Sequence, residues 1–287
     1  MFAIRHILFP VDFSERSHST VPFVATKARD FGAKVTMLAV VRSVIITGME
    51  GASGVFAEPE ELRFAVQSRL DEFAPNEFEG VTVERIAVVG DPADAIVEFV
   101  RLHQVDLVMM PTHGYGPFRR LLLGSVTAKV LHDVACPVWT DAHIETTAKH
   151  YQSRPLAILC AVDDSPRALD VMRWAGALAQ QFGAKLHLVH TVPGTGTFLE
   201  AELGVEVELA MRERLEQKVE DLRKEAGIQA TIHVAAGDVA DRVRAEAERF
   251  NADLLVIGRG VLHETLGRLR THAHSIIRHS PCPVISI

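Results

Sequence analysis

The feature that most constrains this chain is that much of it is written twice. Ile7-Leu8-Phe9-Pro10-Val11-Asp12-Phe13-Ser14 returns as Ile158-Leu159-Cys160-Ala161-Val162-Asp163-Asp164-Ser165, and Phe31-Gly32-Ala33-Lys34 returns as Phe182-Gly183-Ala184-Lys185. Gly90-Asp91-Pro92-Ala93-Asp94 comes back as Gly237-Asp238-Val239-Ala240-Asp241, and Cys136-Pro137-Val138 as Cys282-Pro283-Val284. Matches that keep their order along a 287-residue chain mark one folding unit used in tandem. Each copy runs from just before an Ile-Leu strand to just after a Cys-Pro-Val strand.

Within each copy, short β-branched runs alternate with longer segments of helical period, the pattern of a parallel sheet with helices on its faces. In the first copy strands are expected at 5–11, 34–41, 81–89, 106–111 and 137–140. The stretch from Pro59 to Phe73 sets Leu62, Val66, Leu70 and Phe73 at helical spacing, and Ser125 to Val134 sets Val126, Val130 and Val134 on one stripe. Both are expected to face the core. The fold expected is therefore α/β: two tandem open parallel five-stranded sheets with helices on both faces. The domains are 1–141 and 155–287, joined by a polar, aperiodic linker at 142–154. Val44 to Glu58, with Gly48, Gly51 and Gly54, reads as a flexible connection after the second strand. In the second copy it gives way to a long charged helix from about Glu200 to Ala226. The last strands, 137–140 and 283–287, are short and apolar, and sheet edges of that kind tend to be covered. They are expected to lie edge to edge as an internal pseudo-dimer; a homodimer of such chains is compatible with the pattern but marked by no residue.

Charge narrows the partners. With 37 acidic against 30 basic residues the formal charge is −7, which gives no broad electrostatic reason to bind nucleic acid or an anionic membrane. No apolar run approaches the roughly 18 residues that span a bilayer, and Met1 to Ser14 is broken by Arg5, His6 and Asp12 rather than ordered like a signal peptide. Two of the three cysteines, Cys136 and Cys282, occupy the repeated Cys-Pro-Val, a packing position rather than half of a bridge. A cytoplasmic location is expected.

The stretch most informative about chemistry is Met110-Pro111-Thr112-His113-Gly114, nine residues, then Gly124-Ser125-Val126-Thr127. A strand ends near Met110, a glycine-bearing loop follows, and Gly124-Ser125 opens a helix whose first N–H groups are unpaired and carry the positive end of the helix dipole. Phosphate oxygens suit that place, because glycine lets the backbone approach and Ser125 and Thr127 offer hydroxyl donors. A plain helix cap at Gly124-Ser125 and a plain turn at Gly114 are the alternative reading. Asp12, just past the first strand, and this loop, just past the fourth, both fall at the carboxyl ends of parallel strands, where open α/β sheets hold ligands. Asp12 could instead cap the helix that follows it, or help hold a phosphate-bound cation.

These residues resemble the universal stress protein family over essentially the whole chain, once per half. The family's nucleotide motif is Gly, two residues, Gly, nine residues, then Gly-Ser or Gly-Thr; here Gly114, the nine-residue gap, Gly124-Ser125 and Asp12 match it. The resemblance implies a Rossmann-like, adenine nucleotide alpha hydrolase-like fold and an ATP-binding, cytoplasmic stress-response protein, with Mg2+ an optional companion of the nucleotide. It implies adenine at backbone near Val40, ribose near Asp12 beside Pro10 and Val11, and phosphates on Gly114, Gly124, Ser125 and Val126, with Met110, Pro111, His113 and Thr127 lining the site. One departure is Pro111, which stands for the motif's first Gly and has no N–H to donate. A lost ordinary hydrogen bond costs about 0.5–1.5 kcal/mol, which weakens binding without abolishing it. Arg119 and Arg120 lie within the loop, either reaching phosphates or solvated.

The second copy departs further. Its fourth strand ends Val256-Ile257-Gly258-Arg259-Gly260, the gap is shortened, and the Gly-Ser position falls on Arg270-Thr271. An arginine there should crowd a triphosphate, so this copy is expected to carry a degenerate site. His263, His272, His274 and His279 crowd its end without a recognisable metal-ligand spacing. No Gly-x-Ser-x-Gly elbow or Cys/His arrangement appears, so no catalytic residue is assigned and at most slow ATP hydrolysis is expected. The rival reading is a signalling or scaffold protein of the same fold that binds no nucleotide, and Pro111 is what favours it.

Overall fold

A computed structural model describes residues 3–42, 58–112, 123–141, 154–192, 196–259 and 270–287, with backbone alone for 196–209, 211, 270 and 271. Contacts divide it into two compact units, Ala3–Trp139 and Thr140–Ile287.

The first unit runs β1 (His6–Val11), α1 (Glu15–Phe31), β2 (Lys34–Val41), α2 (Pro59–Asp71), β3 (Val83–Val89), α3 (Pro92–His103), β4 (Leu107–Pro111), α4 (Ser125–Asp133) and β5 (Val138–Asp141). Its strands stand in the order β3-β2-β1-β4-β5. The pairing is parallel, in register Ile7↔Val35 for β1 with β2, Val35↔Val83 for β2 with β3, and Ile7↔Leu107 for β1 with β4. A parallel sheet flanked by helices buries both of its faces, which is why β1 and β4 are continuous apolar runs instead of alternating ones. Ile7, Leu8, Phe9, Leu107 and Val108 are fully buried, and each such side chain contributes about 1.5–3 kcal/mol. The α/β architecture expected from the repeat is borne out, with helices on both faces of the sheet.

Capping sets where the helices begin and end. Ser14 caps α1, accepting from Ser17 N–H, and Gly32 ends it at φ 62°, where its N–H satisfies the carbonyls of Ala28 and Arg29. Asp91 caps α3 through the N–H groups of Ala93 and Asp94, with Pro92 in the first turn. The stripe expected along α2 is only half covered: Leu70 and Phe73 are buried, Val66 is half-buried, and Leu62 is exposed. Helical period was legible there, but the amino-terminal half of α2 is less covered than its carboxyl-terminal end.

The second unit repeats the plan with β6 (Ala157–Val162), α5 (Ala168–Phe182), β7 (Lys185–Val192), α6 (Gly196–Ala226), β8 (Thr231–Ala236), α7 (Val239–Arg249), β9 (Leu254–Ile257), α8 (Arg270–His279) and β10 (Val284–Ser286). The order β8-β7-β6-β9-β10 is that of the first unit, and its pairs are parallel. Gly183 and Asp238 repeat the capping roles of Gly32 and Asp91. The long charged helix is α6. The three cysteines form no disulfide; Cys160 and Cys282 are buried and Cys136 is half-buried. Burial pushes the thiols of both Cys160 and Cys282 up to about 12. Among the described residues no helix is long and apolar enough to cross a membrane. The segment 142–153, most of the expected linker, lies outside them, as do Gly48, Gly51 and Gly54.

Candidate functional site

In each unit the chain leaves the first strand toward one edge of the sheet and later returns to its other side, so strand order switches between β1 and β4. The crevice at the carboxyl ends of those strands is where open α/β sheets take ligands. Pairing of β1 with β4 is recorded only through Ile7↔Leu107 and Leu8↔Val108, and Pro10, which has no N–H to give to a ladder, stands two residues further on.

Asp12 stands on this edge, exposed. Its Oδ1 accepts from Ser14 N–H at 2.9 Å, Ser14 Oγ at 2.5 Å and Ser17 Oγ at 2.5 Å. Among the described residues Oδ2 accepts nothing. Between Asp12 and Ser14, Phe13 adopts φ 60°, a left-handed conformation that costs a bulky residue roughly 1–2 kcal/mol. Its ring meets Phe73 edge-on at 5.7 Å and lies under the Arg69 guanidinium at 4.2 Å, contacts that offset the strain. The result is a tight turn that carries Ser14 N–H back to Asp12.

The other wall begins where β4 ends. Met110, Pro111 and Thr112 are buried, and the Gly124 N–H donates to the Thr112 carbonyl at 2.8 Å, tying together the ends of the segment 113–122. Gly124 is the N-cap of α4 at φ −61° and ψ 144° with no side-chain cap, so the first-turn N–H groups, those of Ser125 and Val126 included, lack an intrahelical acceptor and, among the described residues, a capping oxygen. Any residue can adopt those angles. Glycine is therefore not needed for backbone geometry here; what it supplies is space in front of the helix dipole. Ser125 is exposed and Val126 half-buried, while Thr127 is buried and its hydroxyl donates to the Pro111 carbonyl at 3.2 Å. In this arrangement the Thr127 proton secures the strand end to the helix. Val40 is half-buried near the end of β2, paired with Val88; Val11 is buried and Pro10 half-buried. The structure thus brings Pro10, Val11, Asp12, Val40, Met110, Pro111 and Gly124 to Thr127 to one sheet edge. His113, Gly114, Arg119 and Arg120 lie outside the described residues.

The corresponding edge of the second unit carries different chemistry. Asp163 is exposed, and among the described residues its Oδ1 accepts from Ser165 N–H at 3.2 Å and Ser165 Oγ at 2.7 Å alone. The residue after it, Asp164, binds Lys218 of α6 at 2.6 Å, and that hydrogen bond holds its carboxyl below the usual range. His190 is buried, with Nδ1 2.9 Å from the Val162 carbonyl and Nε2 4.0 Å from Asp164. After β9, Arg259 donates its N–H to the Ile287 carbonyl and its guanidinium to that of Ser286, both at 3.0 Å. The side chains of Arg270 and Thr271, and all of Gly260 and His263, lie outside the described residues.

Sequence reasoning passed over Ser14 and Ser17. Ser14 had left a signal, since it recurs as Ser165; Ser17 had left the opposite one, a serine in one copy and Ala168 in the other.

An open parallel sheet with helices on both faces and a switch point between its first and fourth strands defines a Rossmann-like α/β protein. Within that class the chain belongs to the universal stress protein family, a family with a stress-response role, whose model matches residues 3–140 and again 156–287. Universal stress protein MJ0577 of Methanocaldococcus jannaschii is 30% identical over 149 residues, covering 47% of this chain and 92% of that one. A universal stress protein of Mycolicibacterium smegmatis is 26% identical over 189 residues, 64% of this chain and 63% of its own. A solved universal stress protein from Archaeoglobus fulgidus superposes over 99% of this chain and 96% of its own, with TM-score 0.70 and 22% identity. Together the double match and the full-length superposition bear out the tandem form expected from the repeat.

Proposed function

We propose that the first copy binds ATP and that the protein acts in the stress response by nucleotide-dependent conformational signalling. The observation that carries this reading is a glycine N-cap, at angles that do not call for glycine, that leaves the first turn of α4 without a side-chain cap at the same sheet edge as the exposed Asp12. The uncapped N–H groups suit phosphate oxygens, the carboxylate suits ribose hydroxyls, and the backbone near Val40 suits the adenine edge. A Mg2+ ion would be held chiefly by the phosphates. Nucleotide would order the segment from Gly114 to Leu123 and so change the surface offered to partners. The reading takes the protein to be cytoplasmic and its two copies to work as an internal pseudo-dimer, with binding rather than turnover as the signal.

Titration calorimetry with ATP and Mg2+ on the wild type and on Gly124→Arg tests it. One ATP per chain, lost in the variant, is the expected result. No heat in the wild type would overturn the reading and leave a nucleotide-free signalling scaffold, the outcome that the missing N–H of Pro111 favours.

A further inference from the structure

We infer that Ser17 is a positioning residue for the nucleotide's ribose: it locks Asp12 so that one carboxylate oxygen, Oδ2, faces the ligand. The inference rests on the ATP reading above.

A carboxylate on an exposed turn rotates about its last torsion, and a rotating acceptor pays entropy each time it meets a ligand. Asp12 is not free to rotate in that way. Three donors converge on Oδ1, from Ser14 N–H, Ser14 Oγ and Ser17 Oγ. The Ser14 pair alone is what any Asp-x-Ser turn provides, and the second unit has it too, at Asp163 and Ser165. Ser17 adds what a turn does not. It sits in the first turn of α1, 1% exposed, and reaches back to both the carboxylate and the backbone of Asp12: its Oγ donates to Oδ1 and accepts from the Asp12 N–H at 3.3 Å. The carboxylate is thereby attached to a rigid helix as well as to its own loop.

The internal repeat supplies the control. From Ser14 to Phe31 the two copies align without a gap, which sets Ser17 against Ala168. Ala168 is equally buried, 3% exposed, so a serine is not required to fill that space, and the fold tolerates its loss. With no hydroxyl there Asp163 keeps, among the described residues, two donors instead of three. The lock is present in the copy with the open helix N-terminus and absent from the copy without the Gly-Ser pair.

The test compares ATP with 2′,3′-dideoxy-ATP, each with Mg2+, on the wild-type chain, Ser17→Ala and Asp12→Asn, by calorimetry. Wild type should prefer ATP. Ser17→Ala should weaken ATP roughly five- to tenfold, within the range of one ordinary hydrogen bond, while leaving dideoxy-ATP unchanged, so that its preference falls toward that of Asp12→Asn. Equal weakening of both nucleotides, or an unchanged preference, would overturn the inference and reduce Ser17 to a helix-start residue. If the wild type binds neither nucleotide, the ATP reading itself fails and takes the inference with it.

Discussion

The two crevices are one design with opposite chemistry, and nearly every difference lies within a few residues of a strand end. After the shared aspartate the first copy places Phe13, left-handed and covered by Arg69, where the second places Asp164, tethered by Lys218. The first copy thus turns an apolar ring aside, while the second uses an ion pair from its long α6 at the same place. At the far wall the contrast is Gly124, a cap without a side chain, against Arg270. The sheets beneath keep the same strand order and the same parallel pairing. A fold used twice preserves what buries the core and lets its edge diverge, because residues at strand ends contribute little to that core.

The sharpest way to break this comparison is to write the second edge into the first. Gly124→Arg should cost about 100-fold in ATP affinity, about 2.7 kcal/mol, with the melting temperature nearly unchanged, since the cap angles accept any residue. A second exchange tests the core instead. Gly176 in α5 faces Ile228 so closely that an added Cβ would lie 2.3 Å from its Cγ2, whereas the matching residue of the first copy is the buried Ala25. Gly176→Ala should destabilise the chain by about 1–3 kcal/mol in urea unfolding, despite the better helix propensity of alanine.

Acid should separate the units next. His187 stacks on Phe250 at 4.2 Å and His233 lies 4.3 Å from the same ring; burial lowers both pKa values below 6.5, and the neighbouring His233 lowers His187 further. Groups with lowered values in the folded state contribute stability that is complete above the unfolded value near 6.5 and lost as pH falls through the folded ones. The matching residues of the first copy, Thr36 and Ile86, do not titrate there. Protection factors at β7 and β8, which divide out the intrinsic slowing of amide exchange in acid, should therefore fall as pH drops from 7 to 5, and His233→Ile should reduce the change. His6 of the first unit, also lowered by burial, should show a smaller effect of the same sign. The smallest effect is expected for Lys218→Ala. By removing the hydrogen bond it should let Asp164 titrate closer to an ordinary carboxylate in an NMR titration, with no resolvable change in stability because the pair is exposed.

The repeat and its periods made the alternation of strands and helices and the sheet edge readable from the chain, while strand order came from the structure. Which apolar face is covered was less readable, because period reports a stripe and not a neighbour, as Leu62 shows. The direction of a hydroxyl proton is not written in spacing either: Thr127 sits in the motif yet donates to Pro111. Ser17 was hidden for a related reason. Its contact with Asp12 joins a loop to a helix across a left-handed residue, and a bulky phenylalanine gives little sequence signal for such a turn.

The unequal burial of three sulfur atoms gives the chain a built-in clock. Cys160 and Cys282 lie in the second unit, and a thiol held near 12 carries almost no thiolate at neutral pH. An alkylating reagent can reach them only during an excursion that exposes them, so their labelling rate counts openings of the second unit. Cys136, half-buried in the first unit, reports beside them on a different part of the same molecule. A single labelling time course, resolved by peptide, would then give the breathing rate of the second copy without a probe being added, with Cys136 as the more accessible reference.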